Sequence, residues 1–295
     1  MDKVTTLGSF MDFFVHKYRK LWQAADHKEL WFRGESKDYP DSPLRPELYR
    51  LRRPGCPIQQ IDALLDIENR LYEEFQRCAE QFRSELIDPE YWDWDSYFLL
   101  QHHGGATRLL DWSDGALMAL HFAVRYAKDD YPKDDDEKKA DDAFVYVLEP
   151  DRLKERLESL HKDTGIAEKW REYVRDKKRG QDYNEEAWED AYIPRNKEER
   201  AEFAIPNLPL VLDFPNINRR VAAQRGRFIV FGTDYEFLSD EFKREESSIK
   251  RICIDGSSRR SIRRQLRDAG ITESVIYPDL DGVGREMKQL WEEQK

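Results

Sequence analysis

Cysteine is scarce in this chain: 295 residues hold three, Cys56, Cys78 and Cys253. An odd count with no C-x-x-C pair supports neither a disulfide framework nor a cysteine zinc site. Long apolar runs are missing as well. The longest, Ala116 to Val124, is nine residues interrupted by His121, less than half of the ~20 that a membrane-spanning helix needs. The opening residues carry no apolar stretch of the signal-peptide kind, so a cytoplasmic protein with no membrane association is predicted. No G-x-x-x-x-G-K-[ST] and no G-x-G-x-x-G occurs, which leaves phosphate-loop and dinucleotide-fold chemistry without local support. H-E-x-x-H, G-x-S-x-G and EF-hand patterns are absent too. The adjacent His102 and His103 diverge on any regular element, so no metal site is predicted. Positive charge is in deficit, with 49 Lys and Arg against 60 Asp and Glu and a net charge of −11. The whole molecule therefore has no attraction to nucleic acid or to an anionic membrane, although a local basic patch stays open.

Aromatic residues, by contrast, are plentiful: 8 Trp, 14 Tyr and 15 Phe, a content that only a folded core explains. Strands are predicted at Leu30 to Phe32 (ending at Gly34), Ala143 to Leu148, Leu208 to Phe214, Arg227 to Gly232 and Lys250 to Ile254. Helical periodicity marks residues 9–24, 60–86, 91–101, 116–126 and 257–269, and a terminal helix. Ala116, Ala119, Ala123 and Ala127 give one of these helices a small-residue face that lets a neighbour approach closely. Residues 128–142 read as an acidic surface loop. Residues 151–200 are charged and helical with little apolar face after Leu160, the pattern of an insertion or a partner-binding arm. The chain is predicted to be α+β: a single domain over 1–295 with a small split mixed or antiparallel sheet flanked by helices.

Three segments carry candidate chemistry. Trp31-Phe32-Arg33-Gly34-Glu35 places an arginine at the end of an apolar strand, where a guanidinium fork grips a phosphate or carboxylate. Gly34 beside it lets another group approach the backbone. Gln101 to Ser113 packs His102, His103, two glycines, Thr107, Arg108, Asp111 and Trp112 into one stretch before the alanine-rich helix. On residue types alone Ser113 reads as a helix N-cap, and Arg108 with Asp111 reads equally as a structural ion pair. Asn216 to Phe228 gathers Arg219, Arg220, Arg225 and Arg227 before a strand, as an anion site or as partners of surface acids. Arg259, Arg263 and Arg267 share a helix face by i, i+4 spacing and are expected to pair with surface acids.

Taken in order, these segments resemble the FRG domain family. Phe32-Arg33-Gly34 is its first motif; Gln101 to Ser113, with Ala119 to Ala123, is its second; Arg220 with Gln224, Gly226 and Phe228 is its third. Gly270-Ile271 and Tyr277 to Gly282 match its closing pattern, so the resemblance runs over about residues 25–285. A weaker resemblance links the same residues to ADP-ribosyltransferases of the arginine–serine–glutamate type. It implies NAD as substrate and an ADP-ribosyltransferase-like fold. In that mapping Arg33 holds the pyrophosphate and Ser113 orients the nicotinamide ribose, with Trp112 or Phe228 stacking on the nicotinamide. Gly34, Thr107 and Arg220 complete the nucleotide pocket. His102 or His103 is a ribose donor or general base, and Gln224 stands where the transferases have glutamate. Because Gln224 lacks the charge, Asp111 or Glu35 is the candidate acid. The resemblance implies an ADP-ribosyltransferase or NAD glycohydrolase in anti-phage defence or as a toxin effector. The alternatives are a non-catalytic sensor or adaptor for a nucleotide or phage component, and another hydrolase or nuclease using His102, His103 and Asp111.

Overall fold

The computed structural model describes residues 3–18, 20, 29–40, 43–50, 58–79, 92–125, 141–177, 186–212 and 223–292. The chain begins with β1 (Lys3–Val4), α1 (Leu7–Asp12) with a π-helical turn after it, β2 (Trp31–Glu35), α2 (Glu47–Arg50), α3 (Ile58–Ala79) and α4 (Trp92–His102). Then come β3 (Leu109–Ser113), α5 (Ala116–Val124), β4 (Ala143–Leu148), α6 (Pro150–Thr164), α7 (Ile166–Lys177) and α8 (Lys197–Glu202). The last third holds β5 (Leu210–Leu212), β6 (Gly226–Val230), α9 (Phe237–Lys243), β7 (Ile249–Ile254), α10 (Arg259–Asp268), α11 (Glu273–Ile276) and α12 (Leu280–Glu292).

The described strands form one mixed sheet in the order β1-β7-β4-β2-β3-β6-β5, with β1 parallel to β7 and every other pair antiparallel. β4 sits inside this sheet with all six residues buried, because helices cover both of its faces and remove the usual alternation. On one face Phe144, Tyr146 and Leu148 meet Trp31, Trp112, Leu64 and Leu65 of α3, Leu153 and Leu157 of α6, and Leu238 of α9. On the other, Val145 and Val147 meet Phe10, Phe32, Ala119 and Leu120 of α5, and Ile262 and Leu266 of α10. A third cluster of Tyr97, Phe98, Leu109, Tyr192 and Val230 covers the β3–β6 end.

The sheet is split. β2 pairs with β4 along all five residues, and β3 pairs with β6 along all five, but β2 and β3 meet only at Phe32 and Ser113. Beyond that one pair the two strands part.

Several sequence expectations change in detail. Within the predicted 9–24 helix, α1 and its π turn cover Leu7 to Tyr18, and residues 19 and 21–28 lie outside the described residues. The 60–86 helix is α3, with residues 80–91 outside the described residues, as is most of the 128–142 loop. Residues 109–113, to which no strand was assigned in the sequence, form β3. The described residues of 151–200, which leave out 178–185, pack onto the rest of the chain: Leu153 and Leu157 enter the main core, and Trp170 and Val174 bury against Ala191. Their apolar positions are spaced one or two turns apart, which thins the stripe read along the sequence without removing it. Arg259, expected at the surface, is buried, and its Nη2 donates to the carbonyls of Ala123 (3.3 Å) and Arg125 (2.9 Å), closing the C-terminus of α5.

Candidate functional site

A cleft of about 640 Å³ opens at the split. Its formation starts with Gly34, where an added Cβ would lie 1.9 Å from the Ala119 carbonyl oxygen and 2.6 Å from the Ala123 nitrogen. The glycine is there for α5, whose alanines bring that helix backbone directly onto β2. The group that Gly34 admits is therefore this helix, although the residue also borders the cleft.

Arg33 replaces the missing ladder between β2 and β3. Its Nη1 donates to the Asp111 carbonyl at 2.7 Å, and its Nε donates to Glu35 Oε1 at 3.2 Å. Arg50 Nη2 donates to the same oxygen at 2.8 Å, and its guanidinium lies 4.2 Å from the centre of the Tyr39 ring. Two guanidinium groups thus share one buried carboxylate. Glu35 Oε2 is buried without a hydrogen-bond partner among the described residues.

The facing wall is β3, where Asp111 is the exposed residue of the strand. Asp111 Oδ2 accepts from Gln101 Nε2 at 2.9 Å. Gln101 Oε1 in turn accepts from Thr107 Oγ1 at 2.5 Å, and Thr107 Oγ1 accepts from the Leu109 N–H at 3.1 Å. Phe228, the cross-strand neighbour of Asp111, packs on Phe98 with ring centres 4.6 Å apart. Arg108 turns the other way, fully buried, and pairs with Glu68 (Nε to Oε2 2.6 Å) rather than with Asp111. Burial works against its charge, but the Glu68 carboxylate outweighs that and holds the guanidinium firmly protonated. Its Nη groups donate to the carbonyls of Phe231 (3.0 Å) and Tyr192 (2.6 Å), tying β3 to two neighbouring segments.

At the end of the cleft Ser113 Oγ donates to the Gln224 carbonyl at 2.7 Å and accepts from the Gly115 N–H at 3.0 Å. The N-cap of α5 is Gly115, so Ser113 is a clamp on the 224 turn and not a cap. That turn is tight: Arg225 has φ 51°, a left-handed conformation unusual for a non-glycine residue. The Gln224 amide donates weakly to the Ile276 carbonyl at 3.4 Å. The C-terminal side is closed by Tyr277, whose hydroxyl accepts from Arg125 Nη1 at 2.8 Å. Beneath it Glu273 accepts from His121 (3.1 Å) and Arg285 (3.2 Å), with Arg125 at 3.6 Å. Burial pushes the Glu273 carboxyl up, but His121, Arg125 and Arg285 together bring it down to about 2.

Of the residues singled out in the sequence, Arg33, Gly34, His102, Asp111, Trp112, Ser113, Gln224 and Phe228 all line this one cleft. Trp112 is nonetheless almost wholly buried in the core under β3, whereas Phe228 is half-buried at the cleft. Thr107 is fully buried behind Gln101 and does not reach the cleft. Arg219 and Arg220 lie outside the described residues. Arg225 pairs with Asp114, while Arg227 pairs with Glu29 (2.8 Å) and Asp114 (2.7 Å), so these two arginines meet surface acids. His103 stacks against Phe75, away from the cleft. Arg50, Tyr39, Arg125 and Tyr277 are wall residues that the sequence reading did not assign. Arg50 follows a proline-rich turn with no local signal, whereas Tyr277 stands in the closing motif. Among the described residues no cluster of His, Cys, Asp or Glu is arranged to hold a metal ion, and no helix is long and apolar enough to cross a membrane.

The FRG domain family matches residues 28–131, so the chain carries an FRG domain. That stretch supplies β2, α3, α4, β3 and α5, hence both walls where the sheet splits; Gln224, Phe228 and Tyr277 lie beyond it. No curated protein and no solved structure matches the chain.

Proposed function

We propose, with the FRG domain as premise, that the split-sheet cleft binds NAD and cleaves its nicotinamide–ribose bond, as a glycohydrolase or an ADP-ribosyltransferase. The observation that carries this reading is the meeting, in one cleft, of Arg33 on one wall with Asp111, Ser113 and Phe228 on the other. A dinucleotide asks for these three chemistries together. Its pyrophosphate takes a guanidinium fork, its base takes an aromatic face, and its ribose takes hydrogen-bonding groups and a carboxylate. Arg33 and Arg50 meet on the Glu35 carboxylate and so bring two guanidinium groups to one wall, where a phosphate can be gripped. A volume of about 640 Å³ is in the ~300–1,000 Å³ range of small-molecule sites.

Incubation of the purified chain with NAD, followed by separation of the products, tests the reading. It predicts nicotinamide release that is lost in Arg33→Ala and reduced in Ser113→Ala. A second reading, a nucleotide sensor without turnover, draws on the uncharged Gln224. Under that reading NAD raises the thermal unfolding midpoint saturably and no nicotinamide appears. Neither release nor protection would contradict both.

A further inference from the structure

We infer that Asp111 supplies the negative charge of this site, with Gln101 as its positioning residue and Thr107 as the fixed end of the relay. The inference rests on the NAD-cleaving reading above and assigns, within that site, the role that the uncharged Gln224 cannot fill.

Hydrogen-bond direction sets the polarity of this relay. The Leu109 N–H donates to Thr107 Oγ1, so the hydroxyl proton is free to point elsewhere, and it points to Gln101 Oε1 at 2.5 Å. With its oxygen engaged in this way, the Gln101 amide has to present its NH₂ to the other side, where Asp111 Oδ2 stands 2.9 Å away. Flipping the amide would place its oxygen against a carboxylate. The chain from Leu109 N–H through Thr107 and Gln101 to Asp111 thus has one consistent polarity, and it holds the carboxylate by a charge-assisted bond. Thr107 is fully buried and Asp111 is exposed, so the relay runs from the core to the cleft surface. Arg33 fixes the same residue from the other side through its main-chain carbonyl.

The other carboxylates that line the cleft are less suited. Glu35 is buried and its charge is already shared by Arg33 and Arg50. Glu47 is exposed on the short α2 at the mouth. Asp111 lies beside Phe228, the ring offered to a base.

In the reaction the bond between ribose C1′ and the nicotinamide nitrogen breaks. Its electron pair leaves with nicotinamide, neutralising the pyridinium, and the positive charge passes to C1′ and the ring oxygen. The Asp111 carboxylate faces that developing charge. Water then forms the C1′–O bond and gives up a proton, through Asp111, to solvent. The products are nicotinamide, ADP-ribose and one proton.

The test is steady-state nicotinamide release, with NAD affinity by calorimetry, for the full chain and for Asp111→Asn, Gln101→Ala, Thr107→Val and Thr107→Ser. The expected result is a kcat lowered about 100-fold in Asp111→Asn with affinity within about threefold. Gln101→Ala lowers kcat about 10-fold with KM little changed, and Thr107→Ser restores rate that Thr107→Val loses. Retained affinity shows that a variant is folded. Wild-type turnover that Asp111→Asn leaves intact overturns the assignment alone. A Gln101→Ala effect confined to KM or to thermal stability overturns the positioning role. A wild-type chain that releases no nicotinamide overturns the NAD-cleaving reading and this assignment with it.

Discussion

Arg33 does two jobs with one planar group. It donates to the Asp111 carbonyl across the split and to Glu35 along its own strand. A lysine carries the same charge but has no fork to reach both at once. Arg33→Lys is therefore expected to fold and to bind NAD about 10-fold more weakly, read by calorimetry. Glu273 allows a second prediction at this scale. Its carboxyl titrates near 2 in the folded chain, because His121, Arg125 and Arg285 together outweigh burial, against about 4.3 when unfolded. A depressed carboxyl stabilises the fold fully above the unfolded value, and that contribution disappears as pH falls through the folded one. The urea midpoint of the wild type should drop between about pH 4.5 and pH 2, and Glu273→Gln should flatten that limb while lowering stability at pH 7. An equally steep limb in the variant would show that other carboxyls dominate it.

The packing of β2 against α5 explains why Phe32-Arg33-Gly34 and Ala119 to Ala123 belong together. The glycine of one receives the alanine-lined backbone of the other, 1.9 Å from any added Cβ. Gly34→Ala forces backbone apart and should cost about 3 kcal/mol or abolish folding. Gly284 on α12 is its opposite: nothing lies within 4 Å of an added Cβ. Gly284→Ala should stabilise by about 0.5–1 kcal/mol, because alanine loses less backbone entropy in a helix. A thermal melt of the two variants separates the cases. This contact was half legible in sequence, since the alanine spacing announced a close neighbour but not which one. β3 was not legible. Its five residues open on two adjacent leucines after a glycine turn, so the alternation covers only Leu110 to Ser113, too short to stand out. Its two polar residues, Asp111 and Ser113, line the cleft. Arg108, three residues from its candidate partner Asp111, pairs with Glu68 forty residues away instead, a long-range pairing that local spacing does not encode.

For the molecule as a whole, the consequence is a seven-stranded sheet whose middle is open on purpose. β2 and β3 each have a full partner on their outer side, so their separation does not leave the sheet unsupported. The gap gathers residues from Arg33 to Tyr277 that no stretch of sequence holds together. Order along the chain identified most of them through motif resemblance. Their convergence needed the topology, which places β2 between β4 and β3 and brings the 224 turn over Ser113. The central claim is that this gap is a nucleotide site governed by Arg33. The most direct measurement is calorimetric titration of NAD into the wild-type chain and into Arg33→Ala. Saturable binding at one site is expected in the wild type, weakened at least about 30-fold in the variant by loss of a charged fork on a phosphate. Equal affinity in the two proteins, or no saturable binding in the wild type, would contradict it.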